Sequence, residues 1–431
     1  MYELSKLLKI HIMNRIVLVG NGFDLAHGFQ TRYEDFVNWY WEQWLSKLRL
    51  CHSHMESDDL CKFTLISHQD TWHSHLFARV PFILHKPQGK DFVEEIRKNP
   101  DTYIIEECRF FKEICKSLHE KKWVDIENEY YKFLRSFLTE SQYDNPHILN
   151  RELDFIKSRL IEYLTSIQGE YIQDLPQNDN IKQKIFSPFT SKDISINAGE
   201  IWVNFLKSRY ELSQGLWEDL LSSYNESDVY DRLCRINSFK EKYRELTKLM
   251  GIKIVPEEEL PEEFLLPDRI MLLNFNYTQT ADAYLPKANC FTVNHIHGEL
   301  SKPESVIFGY GDELDEGYKE LLKLDENEYL RNMKTIRYSE SGNYRNMLSF
   351  IESAPFQVCI MGHSCGNSDR TLLNTLFEHK NCVSIKPFYH QKEDGSDNYL
   401  DIVQNICRNF TDMKLMRDRV VNKTFCTSLS S

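Results

Sequence analysis

No apolar run in the 431 residues approaches the roughly 18–20 needed to cross a bilayer, so no membrane partner is expected. Met1 to Ile12 lacks the long apolar stretch and small-residue cleavage site of a secretory signal. The eleven cysteines form no C-x-x-C pair, and their number is odd. A disulfide framework and a four-cysteine zinc site are therefore disfavoured, and reduced thiols in a cytoplasmic chain are expected. Positive charge is not in surplus: 52 Lys plus Arg against 65 Asp plus Glu give −13 with His neutral. That balance argues against a protein that coats nucleic acid by charge. Internal repeats and low-complexity tracts are absent too. What is there, 41% hydrophobic and 27% charged residues, is the composition of an ordinary globular protein. The length fits two or three domains, or one α/β core with a large insertion.

The pattern along the chain favours the second. Arg15 to Val19 is a short apolar run ending in Gly20-Asn21-Gly22, the signature of a fully buried strand. From about Tyr33 to Asp268, aromatics and leucines recur at helical spacing, as in Phe36, Tyr40, Trp44 and in Trp202, Phe205, Leu206, Tyr210. Strands return at Arg269–Asn274, Cys290–Ile296, Ser305–Phe308, Phe356–Met361 and Cys382–Lys386. Helical segments fall between several of them, at Tyr318–Leu324, Tyr344–Glu352, Asp369–Phe377 and from about Tyr399 to Phe410. That alternation predicts an open parallel sheet. The N-terminal strand has no sheet of its own and is expected to join it. The fold class is therefore α/β, with a Rossmann-like core over 13–35 and 266–431, a helical insertion over 36–265, and an extension over 1–12.

Polar signatures fall at the predicted strand ends, where doubly wound sheets bind ligands. They are Gly20 to Asp24, Asn274 to Thr278, His295 to Gly298, Gly309 to Glu313 and Gly362 to Asp369. Gly20 and Gly22 permit a tight strand-to-helix turn that aims backbone amides at a phosphate; with Phe23 and Leu25 following, backbone contact is the expected mode. The loop is neither a P-loop, because no Gly-Lys-Ser/Thr follows, nor a good dehydrogenase fingerprint, because Leu25 stands where a third glycine belongs. Alone it is equally a simple turn. Asn274 and Asn276 share one strand face, as do His295 and His297. Asn can fix a ribose or a water, and His can serve as a base near neutral pH. The bland alternative is that the asparagines cap turns and the histidines sit satisfied at a sheet edge. With Ser364 and the glycine loop at the same sheet end, His297 is expected to be functional and His295 structural.

Two further clusters stand out. Cys51, His52, His54, Cys61, His68, His73 and His75 crowd one segment, but their spacing matches no familiar metal template, so a polar helix or loop is expected and no metal site is assigned. Asp312, Glu313, Asp315 and Glu316 form an acidic loop that reads as a solvated turn rather than a Mg²⁺ site. Asp125 and Glu127 flank a helical stripe that includes Trp123 and Tyr130, and could reach the cleft.

These residues resemble a family. Leu18 to Gly28, with Thr31 to Phe36 behind it, is similar to the opening of AbiH-type phage abortive-infection proteins. Leu273 to Thr278, His295 to Gly298, Ile307 to Gly311, Gly362 to Asp369 and Trp123 to Glu127 fit the same family. A more distant resemblance is to the SIR2-type NAD-consuming domains of bacterial defence proteins, whose segments occur in the same order. That resemblance implies NAD⁺ as substrate or ligand, with no cofactor required. It implies Gly20, Asn21, Gly22, Phe23 and Asp24 at the dinucleotide, with Asn274 and Tyr277 beside it. Asn276 would match the ribose- or water-positioning Asn and His297 the catalytic His. Gly362, Ser364 and Asp369 would line or support the adenosine side. Thr278 departs from the pattern, which often has Asp there, and the zinc-binding cysteine pairs of deacylating sirtuins are absent. The function so implied is an anti-phage effector that hydrolyses NAD⁺. The alternatives are a non-catalytic nucleotide-binding sensor and an enzyme acting on another adenine nucleotide. A phage-derived trigger or partner protein and a homo-oligomer fit such an effector.

Overall fold

The computed structural model describes residues 11–50, 55–65, 88–98, 103–121, 124–138, 145–171, 177–209 and 262–430. Among the residues singled out above, Cys51, His52, His54, His68, His73, His75, Trp123 and Tyr210 lie outside these, as do residues 1–10 of the extension.

β1 (Asn14–Val19) runs through the middle of a five-stranded sheet, parallel to β5 (Ile270–Asn274) on one side and β7 (Phe356–Met361) on the other. β6 (Phe291–His295) extends the β5 side and β8 (Cys382–Phe388) the β7 side, both parallel. The order is β6-β5-β1-β7-β8. Counted within this sheet alone it is 3-2-1-4-5, the Rossmann order, so the chain reverses direction across the sheet between β1 and β7. The N-terminal strand is completed by partners more than two hundred residues away, as its lack of a local partner requires.

Period-two alternation puts β1 against two cores. Ile16 and Leu18 pack with Met347, Phe350 and Ile351 of one helix (Asn343–Ser353), and with Leu372, Leu373 and Leu376 of another (Arg370–Phe377). Val17 and Val19 pack on the opposite face with Phe23 of α1 (Asn21–Ala26), and with Ile181 and Ile185 of a short helix (Asp179–Ile185). On that second face Arg15 is buried inside the sheet. Its guanidinium donates to Gln357 Oε1 at 3.1 and 2.9 Å and to the carbonyls of Ile185 and Ser187 at 3.0 and 2.6 Å, which satisfies a cation that burial would otherwise penalise.

Most of a further core comes from residues between β1 and β5. α2 (Tyr33–Leu50) lays Phe36, Tyr40, Trp41 and Trp44 against Phe63, Phe92 and Phe111. The 36–265 segment, expected to be helical, also contains an antiparallel sheet of β2 (Met55–Ser57), β3 (Cys61–Leu65) and β4 (Tyr103–Glu107). These strands are three to five residues long, too short to stand out against the helical periodicity around them. The helices that follow are α3 (Gly89–Lys98), α4 (Arg109–Lys121), α5 (Ile126–Ser136) and α6 (Pro146–Tyr171). Leu300, Phe308, Tyr310, Tyr318, Tyr329 and Met333 join this core, so residues from the C-terminal half pack with the insertion.

A second expectation is corrected at the sheet edge: Ser305–Phe308 is not a strand. Pro303–Ser305 is a 3₁₀ turn, and the edge of β6 is capped by side chains instead. Asn294 Nδ2 donates to the Asn343 carbonyl at 2.8 Å, and Asn343 Nδ2 donates to the His295 carbonyl at 2.6 Å.

Candidate functional site

The glycine loop and the loop after β7 meet at the switch point. Gly22 N donates to the Gly362 carbonyl at 2.8 Å. Gly362 has φ +77°, and a methyl added there would strike Phe23 N. Gly20 and Gly22 face the same backbone so closely that a methyl would meet His363 Cα at 2.5 Å or Gly362 Cα at 2.8 Å. The glycines let two chain reversals pack against each other at the carboxyl ends of β1 and β7.

From β5, Asn274 is fully buried and works on its own loop. Its Oδ1 accepts from Asn276 N at 3.0 Å, and its Nδ2 donates to the Thr278 carbonyl at 3.0 Å. That pins Asn276, whose Nδ2 donates to the Gly20 carbonyl at 3.0 Å, bridging the β5 loop to the glycine loop. Thr278 Oγ1 donates to Asp24 Oδ2 at 2.6 Å, while Asp24 Oδ1 is buried without a partner. Burial raises the Asp24 carboxyl to about 6, with the Thr278 bond working the other way.

From β6, the turn His295–Gly298 aims His297 inward. Gly298 N donates to the His295 carbonyl at 3.0 Å with φ +84°, and a methyl there would strike the Ser305 carbonyl. His297 Nε2 then lies 3.2 Å from Asp369 Oδ1 and 3.2 Å from the Tyr338 hydroxyl. His295 instead points toward the edge, with Nε2 3.1 Å from Asp282 and Nδ1 3.3 Å from Asn274 Nδ2.

The centre of the site is a buried charge cluster that draws on both parts of the chain. Lys334 Nζ donates to Asp369 Oδ1 at 2.8 Å and to Glu127 Oε2 at 2.7 Å. Glu127 Oε1 accepts from Gly309 N at 3.0 Å. His363 Nδ1 accepts from Cys365 N at 3.0 Å, and its Nε2 lies 3.6 Å from Asp369 Oδ2. Burial works to raise the Asp369 carboxyl, but Lys334 and His297 override it and hold it well below the ordinary carboxylate range. Glu127 goes the other way: burial raises it to about 7 against the pull of Lys334. Burial lowers His297, and Lys334 lowers it further, so the ring is neutral near pH 7. Asp125 caps α5, accepting from Asn128 N at 3.0 Å. A methyl on Gly366 would sit 3.6 Å from both Asp125 Oδ2 and Ser364 Oγ, so the insertion reaches the β7 loop here.

The remaining expected residues fall as follows. Asn21 and Ser364 are exposed, whereas Phe23 is core, edge-on to Tyr284 with ring centres 5.3 Å apart. Tyr277 donates to the Ile307 carbonyl at 3.1 Å. Asp369, expected on the adenosine side, stands against His297. Lys334 and Tyr338 carried no signal, being single residues in a segment without a motif. The acidic loop is tied to cations: Asp312 pairs with Arg370 at 3.1 Å, Asp315 lies 3.4 Å from Arg135, and Glu316 pairs with Lys319 at 2.7 Å.

The strand-end motifs converge at one end of the sheet, and the sequence match spans them. Residues 16–390 match the family model described as bacteriophage abortive infection AbiH. The chain belongs to the AbiH family. Membership places it in antiviral defence by abortive infection. The match begins in β1 and ends just past β8, so it takes in the sheet, the insertion and the charge cluster. No curated protein and no solved structure was found to match the chain. Among the described residues of this AbiH chain, no helix is long and apolar enough to cross a membrane.

Proposed function

We propose that this AbiH protein is a cytoplasmic, SIR2-like effector that binds NAD⁺ at the β1–β7 crevice and hydrolyses it to ADP-ribose and nicotinamide. The observation that carries the reading is a neutral His297 and a braced Asn276 beside a Rossmann switch point: both lie not on the strands, as their spacing suggested, but in the loops just past the ends of the adjacent β5 and β6. Nicotinamide is already a cationic leaving group on the ribose. Its departure passes through an oxocarbenium-like state, so the protein's task is to position, desolvate and stabilise charge. Asn276 orients the attacking water or the ribose hydroxyls. His297 takes the proton released as water adds to the ribose carbon and the C–N bond breaks. Gly20, Asn21, Gly22 and Phe23 bring their backbone up to the dinucleotide, although the Gly20, Gly22 and Phe23 amides, expected to face a phosphate, are held by the Met361, Gly362 and Gly20 carbonyls; Asp24, Asn274 and Tyr277 support that wall, and Gly362 and Ser364 line the far side. A phage-derived trigger or assembly of several copies would keep such an activity silent until infection.

The burial of His297, 4% exposed, favours a second reading, a nucleotide-binding sensor that does no chemistry. The readings part on one variant. In a hydrolase, His297→Ala lowers nicotinamide release by about 10²–10⁴-fold while the fold is kept. In a sensor, the wild type binds NAD⁺ without releasing nicotinamide, and His297→Ala changes neither result. Turnover of ATP but not NAD⁺ would point to a different adenine nucleotide.

A further inference from the structure

Lys334 is 1% exposed and has two carboxylate partners from distant parts of the chain. Glu127 lies on α5 of the insertion, and Asp369 on the loop after β7. We propose that Asp369 is the positioning residue of His297, and that Lys334, gripped by Glu127, is the link through which the insertion holds that carboxylate in place. The proposal concerns the same site and rests on the reading that His297 is the proton acceptor.

The geometry gives each member one task. An ionised carboxylate only accepts hydrogen bonds, so the His297 nitrogen facing Asp369 carries the ring proton. With Nε2 protonated and the ring neutral, Nδ1 holds the lone pair able to take a proton from water. Asp369 thereby selects the tautomer and fixes the ring plane, as the orienting carboxylate does for a catalytic histidine. Lys334 neutralises Asp369 without touching the His297 ring in any hydrogen bond. The groups facing this cluster are Asp125, Glu127, His363, Tyr33, Tyr277 and Tyr338. Burial keeps the three phenols protonated, and Asp125 is engaged at its helix cap. Glu127 is fixed at both oxygens, on Gly309 N and Lys334 Nζ. A shift of α5 by about 1–2 Å, the scale of helix movements in switching proteins, breaks the 2.7 Å Glu127–Lys334 contact and loosens Asp369 behind His297.

The test labels the histidine rings of the full chain with ¹⁵N and assigns His297 by loss of its signals in His297→Gln. Ring shifts are read without nucleotide in wild type, Glu127→Gln and Asp369→Asn, with nicotinamide release measured on the same samples. Glu127→Gln is nearly isosteric and keeps an acceptor for Lys334, and circular dichroism and melting check each fold. The expected result is a neutral, Nε2-protonated His297 in wild type. Its signals move in Glu127→Gln, although Glu127 does not touch the ring, and the tautomer preference is lost in Asp369→Asn. Asp369→Asn is expected to lower kcat by about 10²–10⁴-fold with KM unchanged. An Nδ1-protonated ring in wild type, or His297 signals indifferent to both variants, overturns the proposal. A wild type that releases no nicotinamide defeats the hydrolase reading, and the ring shifts still decide whether Asp369 and Glu127 position His297.

Discussion

Lys334 shows what one side chain can hold together. It is the shared cation of Glu127 and Asp369, both buried. Lys334→Met removes that cation and leaves two carboxylates facing each other, so about 3–5 kcal/mol of stability should be lost, read as a lowered urea midpoint. Asp24 makes a prediction of the opposite sign. Its carboxyl titrates at about 6 in the folded chain against an ordinary 3.8. The folded state therefore binds this proton more tightly than the unfolded one. Its contribution is fully present below about pH 4 and is lost as pH rises through about 6. Asp24→Asn removes the titration, so urea midpoints of variant and wild type should converge near pH 4 and separate near pH 7.5, the variant being more stable by roughly 1–3 kcal/mol. Equal midpoints at both pH values would show that Asp24 is not a buried acid. Neither role was legible in the sequence in full: Asp24 stands in a visible motif, but its burial under Thr278 is a tertiary fact, and Lys334 stands in none.

β1 is the element on which the fold turns. It could be read from the sequence because both faces are buried, which makes Ile16 to Val19 an unbroken apolar run. The same logic exposed β5 and β7. It failed for Ser305–Phe308, where an apolar run serves loop packing, since Asn294 and Asn343 already cap the edge it would have joined. It failed for β2, β3 and β4 because a few alternating residues, such as Cys61 and Phe63, are outweighed by the helices around them. Leu18→Ala should cost about 2–5 kcal/mol, read by thermal or urea unfolding. Gly362→Ala should be worse placed than its size implies. The new methyl falls on Phe23 N at a backbone angle that L residues rarely adopt, so the melting temperature should fall and the Gly20–Gly22 loop should lose amide-exchange protection. Unchanged protection there would mean that the two loops do not depend on each other.

At the scale of the whole molecule, the five-stranded parallel sheet and the residues inserted between β1 and β5 meet at one charged cluster. The strand-end motifs, the split core and the family resemblance could be read from sequence, because glycine, asparagine and histidine keep local signatures at chain reversals. The union of Glu127 with Lys334 and Asp369 could not, since no local pattern announces a contact across 207 residues. Nor could the sharing of the insertion core with Leu300, Phe308 and Met333, which packs the two stretches of chain against each other. The most direct measurement of the central claim is nicotinamide release from NAD⁺ by the full chain, wild type beside Asn276→Ala and His297→Ala, with cellular NAD⁺ followed during phage infection. NAD⁺ loss is expected with wild type and its near absence in both variants. Undiminished NAD⁺ in infected cells carrying the wild type, with no nicotinamide released by the purified protein, would contradict that claim.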